Sequence, residues 1–231
     1  MTPHATQDQT KGDMMTRVPA FLLCIALLAP GSIAADSEYF GRFLSKLEIT
    51  TVDTGNPDRQ NFSLLKEFKF EDPNENVWTV PEGYSKLDGA SIPRPLWSIV
   101  GGPMEGNYLH AAVVHDYYCD VKTRTQHDTH RAFYYGMRTN GVPESKAKAM
   151  YLAVAAFGPK WKLTKQTVLC AKGLADCNSI DPPYDIVEPY AFGSDLAADV
   201  ERFNVAVENV KDQAESLDLD DIDDIAASLK R

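Results

Sequence analysis

His115, Asp116 and Cys119 sit within six residues of one another, inside an otherwise apolar run, and bring an imidazole, a carboxylate and a thiol together. At about 100 degrees per residue on a helix, His115 shares a face with Tyr108, Ala111, Ala112 and Cys119. Asp116 points about 100 degrees away, toward Leu109 and Asp120, so the two polar groups look at adjacent spots. A neutral histidine takes a proton from water as a general base when a carboxylate fixes its tautomer from the far nitrogen. Asp128, near the start of the next helix, is the carboxylate expected to reach His115. A buried Asp116 needs a partner, because an isolated charge in an apolar interior is costly. Either Arg94, Arg124 or Arg131 supplies an ion pair, or a calcium ion is shared with Asp88 and nearby backbone carbonyls, where Gly89 allows close backbone approach. Such an ion would polarise a substrate carbonyl and stabilise an oxyanion.

Structural readings stand beside these. Asp128 lies three residues after Thr125, as the acid of a capping box does. Asp88 and Ser91 could simply hold a turn. His110, His127 and His130 show no strong zinc spacing with His115. Cys119, buried, is expected to be an inert thiol. No nucleophile-elbow serine or phosphate-cradling glycine loop is present.

The run Asp88, Ala90-Ser91-Ile92-Pro93, Trp97, Tyr108, Ala111-Ala112, His115-Asp116, Asp128 and Phe133 resembles a phage- and bacteria-associated family, domain of unknown function 1353, over roughly residues 40 to 158. That resemblance implies no activity. The same chain is similar at motif level to secreted bacterial phospholipases A2. Both have an aspartate-glycine turn with a serine and a proline, a His-Asp helix with a following aromatic, and a helix with Asp and Phe. By that resemblance Asp88 and Asp116 would bind calcium, His115 would be the base and Asp128 its orienting partner. The phospholipases usually carry cysteines where this chain has Ala90 and Ala112, and a tyrosine-arginine-asparagine run is missing after Tyr118.

The elements that must position these groups follow from pattern. Phe43 to Val52, Phe62 to Phe70 and Val77 to Val80 read as three strands, separated by turn clusters at Thr54 to Asp58 and Asp72-Pro73-Asn74. From Gly106 the period becomes helical. Asn107 to Lys122 is apolar nearly all round and predicts a central helix. A second helix runs from Thr125 to about Arg138, and a third from Pro143 to about Phe157. Residues 160 to 193 read as irregular. Strands followed by helices predict an α+β fold, with a small antiparallel sheet of about three strands and a bundle of three helices. Leu196, Val200, Phe203, Val207, Val210 and Ala214 recur at three- and four-residue spacing, predicting a C-terminal amphipathic helix. The acidic Asp218 to Asp224 beyond it reads as a solvated end.

Three segments result: a leader and signal peptide over 1–35, a core domain over 36–180 and an acidic extension over 181–231. Met14 to Arg17, the apolar Val18 to Leu28 and the small residues Ser32 to Ala35 have the layout of a secretory signal, so a secreted or periplasmic location is expected. In that compartment Cys170 and Cys177 could pair, leaving Cys119 free. After residue 180 the chain has 14 acids and 4 bases, which accounts for the whole net charge of −10. A neutral core with an acidic tail lacks the basic stripe of a nucleic-acid binder. Two functions are expected from these features: a calcium-dependent His/Asp hydrolase of phospholipids or other esters, or a non-enzymatic envelope or phage-related protein whose acidic C-terminal helix meets a protein partner.

Overall fold

The computed structural model describes residues 38–53, 61–89, 92–102, 106–163, 184–187 and 195–229. The leader, the cysteine loop with Cys170 and Cys177, and Ala90-Ser91 lie outside them.

The strands are β1 (Arg42–Phe43), β2 (Ile49–Val52), β3 (Asn61–Leu64), β4 (Phe68–Glu71) and β5 (Val77–Val80). Their order is antiparallel β1-β4-β5, with a separate β2-β3 hairpin. Two of the three expected strands therefore divide in two. At the first break the Ser45 hydroxyl oxygen accepts the Lys69 N–H at 2.7 Å, so a side chain replaces the carbonyl that a continued ladder would offer. Alternation sends Phe68, Phe70, Trp78 and Val80 inward. The β4–β5 turn is built around buried Asp72, which accepts from the Asn74 and Asn76 N–H groups and from Trp78 Nε1 at 2.9 Å.

A short helix α1 (Trp97–Val100) follows a single 3₁₀ turn that begins just after Pro93. The helices α2 (Leu109–Val121), α3 (Gln126–Thr139) and α4 (Glu144–Phe157) lie close to their expected ranges. α2 joins two cores. Val113, Val114 and Tyr118 pack on the sheet side with Phe68, Phe70 and Trp78. Ala111 and Ala112 pack on the helical side with Phe133, Met137 and α4. The most enclosed helix is α4, buried at every position from Ala147 to Phe157. Apart from Lys148, that stretch is alanine, methionine, tyrosine, leucine, valine and phenylalanine, which gives it apolar surface nearly all round.

Two readings need correction. Lys160–Leu163 (β6) and Tyr184–Val187 (β7) form an antiparallel pair where irregular chain was expected. The acidic end is the helix α6 (Leu219–Ser228), following α5 (Leu196–Asp212). The Asp218 carboxylate accepts the Asp221 N–H while the Asp221 carboxylate accepts the Asp218 N–H, a reciprocal cap. Acids in the first turn also suit the positive end of the helix dipole. Ile222 and Ala226, four apart, are buried with Phe203, Val207 and Val210 of α5 in the same core as α4. The apolar faces of the acidic segment are thus used within the chain. The architecture is α+β, and among the described residues no helix is long and apolar enough to cross a membrane.

Candidate functional site: the crossing of α2 and α3

Close approach of α2 and α3 depends on small residues. A Cβ on Gly136 of α3 would stand 2.9 Å from the Ala111 Cβ of α2, so the backbones meet where neither helix carries bulk. Thr125 fixes the start of α3 by accepting the Asp128 N–H at 3.0 Å. One helical turn along α2 from the crossing, His115 Nε2 lies 2.9 Å from His130 Nδ1, and their rings stack at 5.1 Å with an inclination of 29°. Cys119, one turn after His115, places Sγ 3.5 Å from the same Nε2. Phe133 and Trp161 close the surroundings against the rings of His115 and His130 respectively.

All three groups are buried. Burial pushes the His115 imidazolium down to about 3, so the ring is neutral at ordinary pH. Burial also pushes the Cys119 thiol up, and the Asp116 charge adds to the effect. His115 and Cys119 are therefore both uncharged at ordinary pH. The three ligand atoms of the site lie within 4.8 Å of one another. Tetrahedral zinc, with bonds of about 2.0 to 2.3 Å to nitrogen and sulfur, needs ligand atoms about 3.3 to 3.8 Å apart. The observed 2.9 and 3.5 Å are within a small adjustment of that.

The carboxylates expected at the site are elsewhere. Asp128 is 56% exposed and stands beside His127. His115 meets His130 instead, for a reason of helical phase: two residues turn the helix by about 200 degrees, so Asp128 and His130 face opposite sides. Asp116 is buried and accepts the Gly89 N–H through Oδ2 at 2.8 Å, which joins α2 to the aspartate-glycine turn. Gly89 has φ +98°, a left-handed backbone that favours glycine. Asp88 itself is exposed. Arg124 and Arg131, offered as ion-pair partners for Asp116, are engaged elsewhere. Arg124 donates to the Val77 carbonyl and covers the Trp78 ring. Arg131 pairs with Asp220 and Asp223 of α6.

Reading the sequence missed the partnership of His130 with Cys119. Its one visible signal was the i, i+4 spacing of His115 and Cys119, which places both on one helical face. A second group went unnoticed at the α3–α6 contact, where His127, Asp220 and Asp223 also converge within 4.8 Å. His127 and His130 both line a cavity of about 520 Å3.

Two relatives are both described as uncharacterized proteins of Sinorhizobium fredii (strain NBRC 101917 / NGR234). The protein y4jT is 46% identical over 198 residues, 80% of this chain and 58% of its own length. The protein y4iH is 43% identical over 118 residues, 51% of this chain and 49% of its own. The chain thus spans about half the length of the curated relatives it matches. No solved structure matches it. The resemblance to secreted phospholipases A2 receives no support from these relatives. The model described as "Protein of unknown function (DUF1353)" matches residues 62–154, a stretch that holds His115, Asp116, Cys119 and His130.

Proposed function

We propose that the domain binds a thiophilic divalent metal of the zinc class through His115 Nε2, Cys119 Sγ and His130 Nδ1. The observation that carries this reading is the approach of these three buried ligand atoms to within 4.8 Å. Two imidazoles and a thiolate are soft donors, which favour zinc or copper(I) over calcium or magnesium. A three-residue set leaves one tetrahedral position for water or a small ligand, as catalytic zinc sites do. Loading releases the Cys119 proton, since the thiolate is the ligand.

Cobalt(II) titration of the full chain tests this. The expected result is one equivalent of ion with intense visible bands of tetrahedral cobalt and a near-ultraviolet sulfur charge-transfer band. Cys119→Ser should remove the charge-transfer band, and His130→Ala should weaken binding. Absence of both bands in the folded wild-type protein would overturn the assignment.

One observation favours a second reading, a calcium-dependent hydrolase of phospholipids or other esters with His115 as base: Asp116 is tied to Gly89, beside Asp88. Thermal unfolding separates the two. An ion present at about 100 times its dissociation constant adds roughly 2.7 kcal/mol to the folded state. Stabilisation by calcium that is lost in Asp116→Asn favours the hydrolase. Stabilisation by zinc that is lost in Cys119→Ser favours the metal centre.

A further inference from the structure

The 520 Å3 cavity offers chemistry that does not depend on the metal reading. Its inner wall is formed by Tyr151, Ala155, Trp161 and Ala226, and His127 stands on it with 54% of its side chain exposed. The His127 Nε2 lies 3.3 Å from Asp223 Oδ2. Asp223 is held in turn: the Tyr151 hydroxyl donates to Oδ1 at 2.7 Å and Arg131 Nη2 donates to Oδ2 at 3.1 Å. The other ring nitrogen, Nδ1, is 3.6 Å from Asp128 Oδ1, too far for a hydrogen bond. The charged groups around His127 are Asp128 on its own helix and Asp220 and Asp223 on α6, with Arg131 of α3 bound to the same Asp223 oxygen, while Lys162 of β6 lines the same cavity. An accessible imidazole, oriented at one nitrogen by an anchored carboxylate and lining a cavity, has the geometry of a general base.

We propose that His127 and Asp223 form a water-activating pair, and that the cavity takes small esters with an apolar acyl group. Asp223 accepts the Nε2–H and thereby leaves Nδ1 as the base. Nδ1 takes a proton from water, and the water oxygen bonds to the ester carbonyl carbon as its π pair moves onto oxygen. Lys162, on the same cavity, offsets that negative charge. When the tetrahedral adduct collapses, the carbon–oxygen bond to the alcohol breaks and the alcohol oxygen receives the proton back from Nδ1. The products are a carboxylic acid and an alcohol. Trp161, Ala155 and Ala226 provide the apolar surface for a short acyl chain, and a volume of this size falls in the range of small-molecule sites.

The test is steady-state hydrolysis of 4-nitrophenyl acetate, butyrate and octanoate by the full chain and its His127→Gln, Asp223→Asn and Ala226→Phe variants. The expected result is saturable turnover whose kcat falls about 100-fold or more in His127→Gln, the usual contribution of a general base. Asp223→Asn should lower kcat and displace the pH profile, which a purely structural clamp between α3 and α6 would not do. Ala226→Phe, by filling the cavity, should raise KM with the pH profile unchanged. No saturable turnover with any of the three esters in the folded protein, or undiminished kcat in His127→Gln, overturns the proposal. His127 is not in the His115–Cys119–His130 set, so the cobalt bands should persist in His127→Gln, and failure of either reading is visible separately.

Discussion

His115 Nε2 stands 2.9 Å from His130 Nδ1, with both residues at 2% exposure or less. Burial keeps the proton off His115, and this makes the fold sensitive to acid. The folded His115 titrates at about 3, against an ordinary value of 6.5. Between these values the unfolded chain binds a proton that the folded one does not, so stability rises with pH. The contribution is complete above pH 6.5, declines as pH falls and levels off near 3. The loss should be about 2 kcal/mol at pH 5 and about 5 kcal/mol below pH 3. Denaturant unfolding at pH 7 and pH 5 checks it, with His115→Gln as comparison. The variant should lose about 2 kcal/mol less over this interval; an equal loss in both proteins would place the acid sensitivity elsewhere.

Asp116 holds the aspartate-glycine turn against α2 by accepting the Gly89 N–H. Removing the acceptor leaves that buried donor without its bond, at a cost of about 1 to 3 kcal/mol. Asp116→Ala should therefore be clearly less stable than Asp116→Asn, whose amide oxygen can still accept. If urea unfolding gives the two variants the same midpoint, the Gly89 bond contributes nothing measurable.

Thr125 and Asp128 should separate sharply in mutagenesis. Thr125→Ala removes the oxygen that accepts the Asp128 N–H and should cost about 1 kcal/mol in thermal or denaturant unfolding. Asp128→Asn alters an exposed carboxylate whose service to α3 is charge near the positive helix end, worth about 0.3 to 1 kcal/mol at low salt. Cobalt binding should be unchanged in Asp128→Asn. A loss of the cobalt bands would mean that Asp128 reaches His115 after all.

The helices α2, α3 and α4 were legible in the sequence because apolar periodicity and caps are local signals, and Thr125, Asn140-Gly141 and Pro143 bound them. The strand breaks were not, because the Ser45 contact with Lys69 joins residues 24 apart. Asp218 to Asp224 read as a solvated end when only its charge was weighed. Its reciprocal cap and the Ile222–Ala226 spacing make it an amphipathic helix, and both were present in the residues. The site was half legible. His115 and Cys119 share a helical face by spacing alone. Which group of α3 meets them depends on helix phase and crossing geometry, and the wrong member of the Asp128–His130 pair was expected. Asp223 could not be found from sequence, since it meets His127 only after α6 has packed on α4.

Gly136 connects the fold to the site most directly. Its position admits no side chain without movement, because a Cβ there would stand 2.9 Å from the Ala111 Cβ and 3.3 Å from the Ala111 Cα. Neither atom belongs to a flexible side chain, so the helices themselves must separate. Overpacking of this kind typically costs about 1 to 3 kcal/mol. Gly136→Ala gains helix propensity of about 1 kcal/mol, which works in the opposite direction. Clear net destabilisation would therefore mean that steric cost dominates. The same separation should carry His130 away from His115 and Cys119, which are all carried on the two helices that part. Cobalt affinity should then fall even at temperatures where Gly136→Ala is fully folded, while Ala111→Gly combined with Gly136→Ala should restore much of it by vacating the clashing methyl. Full cobalt affinity in the single variant would show that the ligand set tolerates helix separation, and that the small-residue contact serves packing alone.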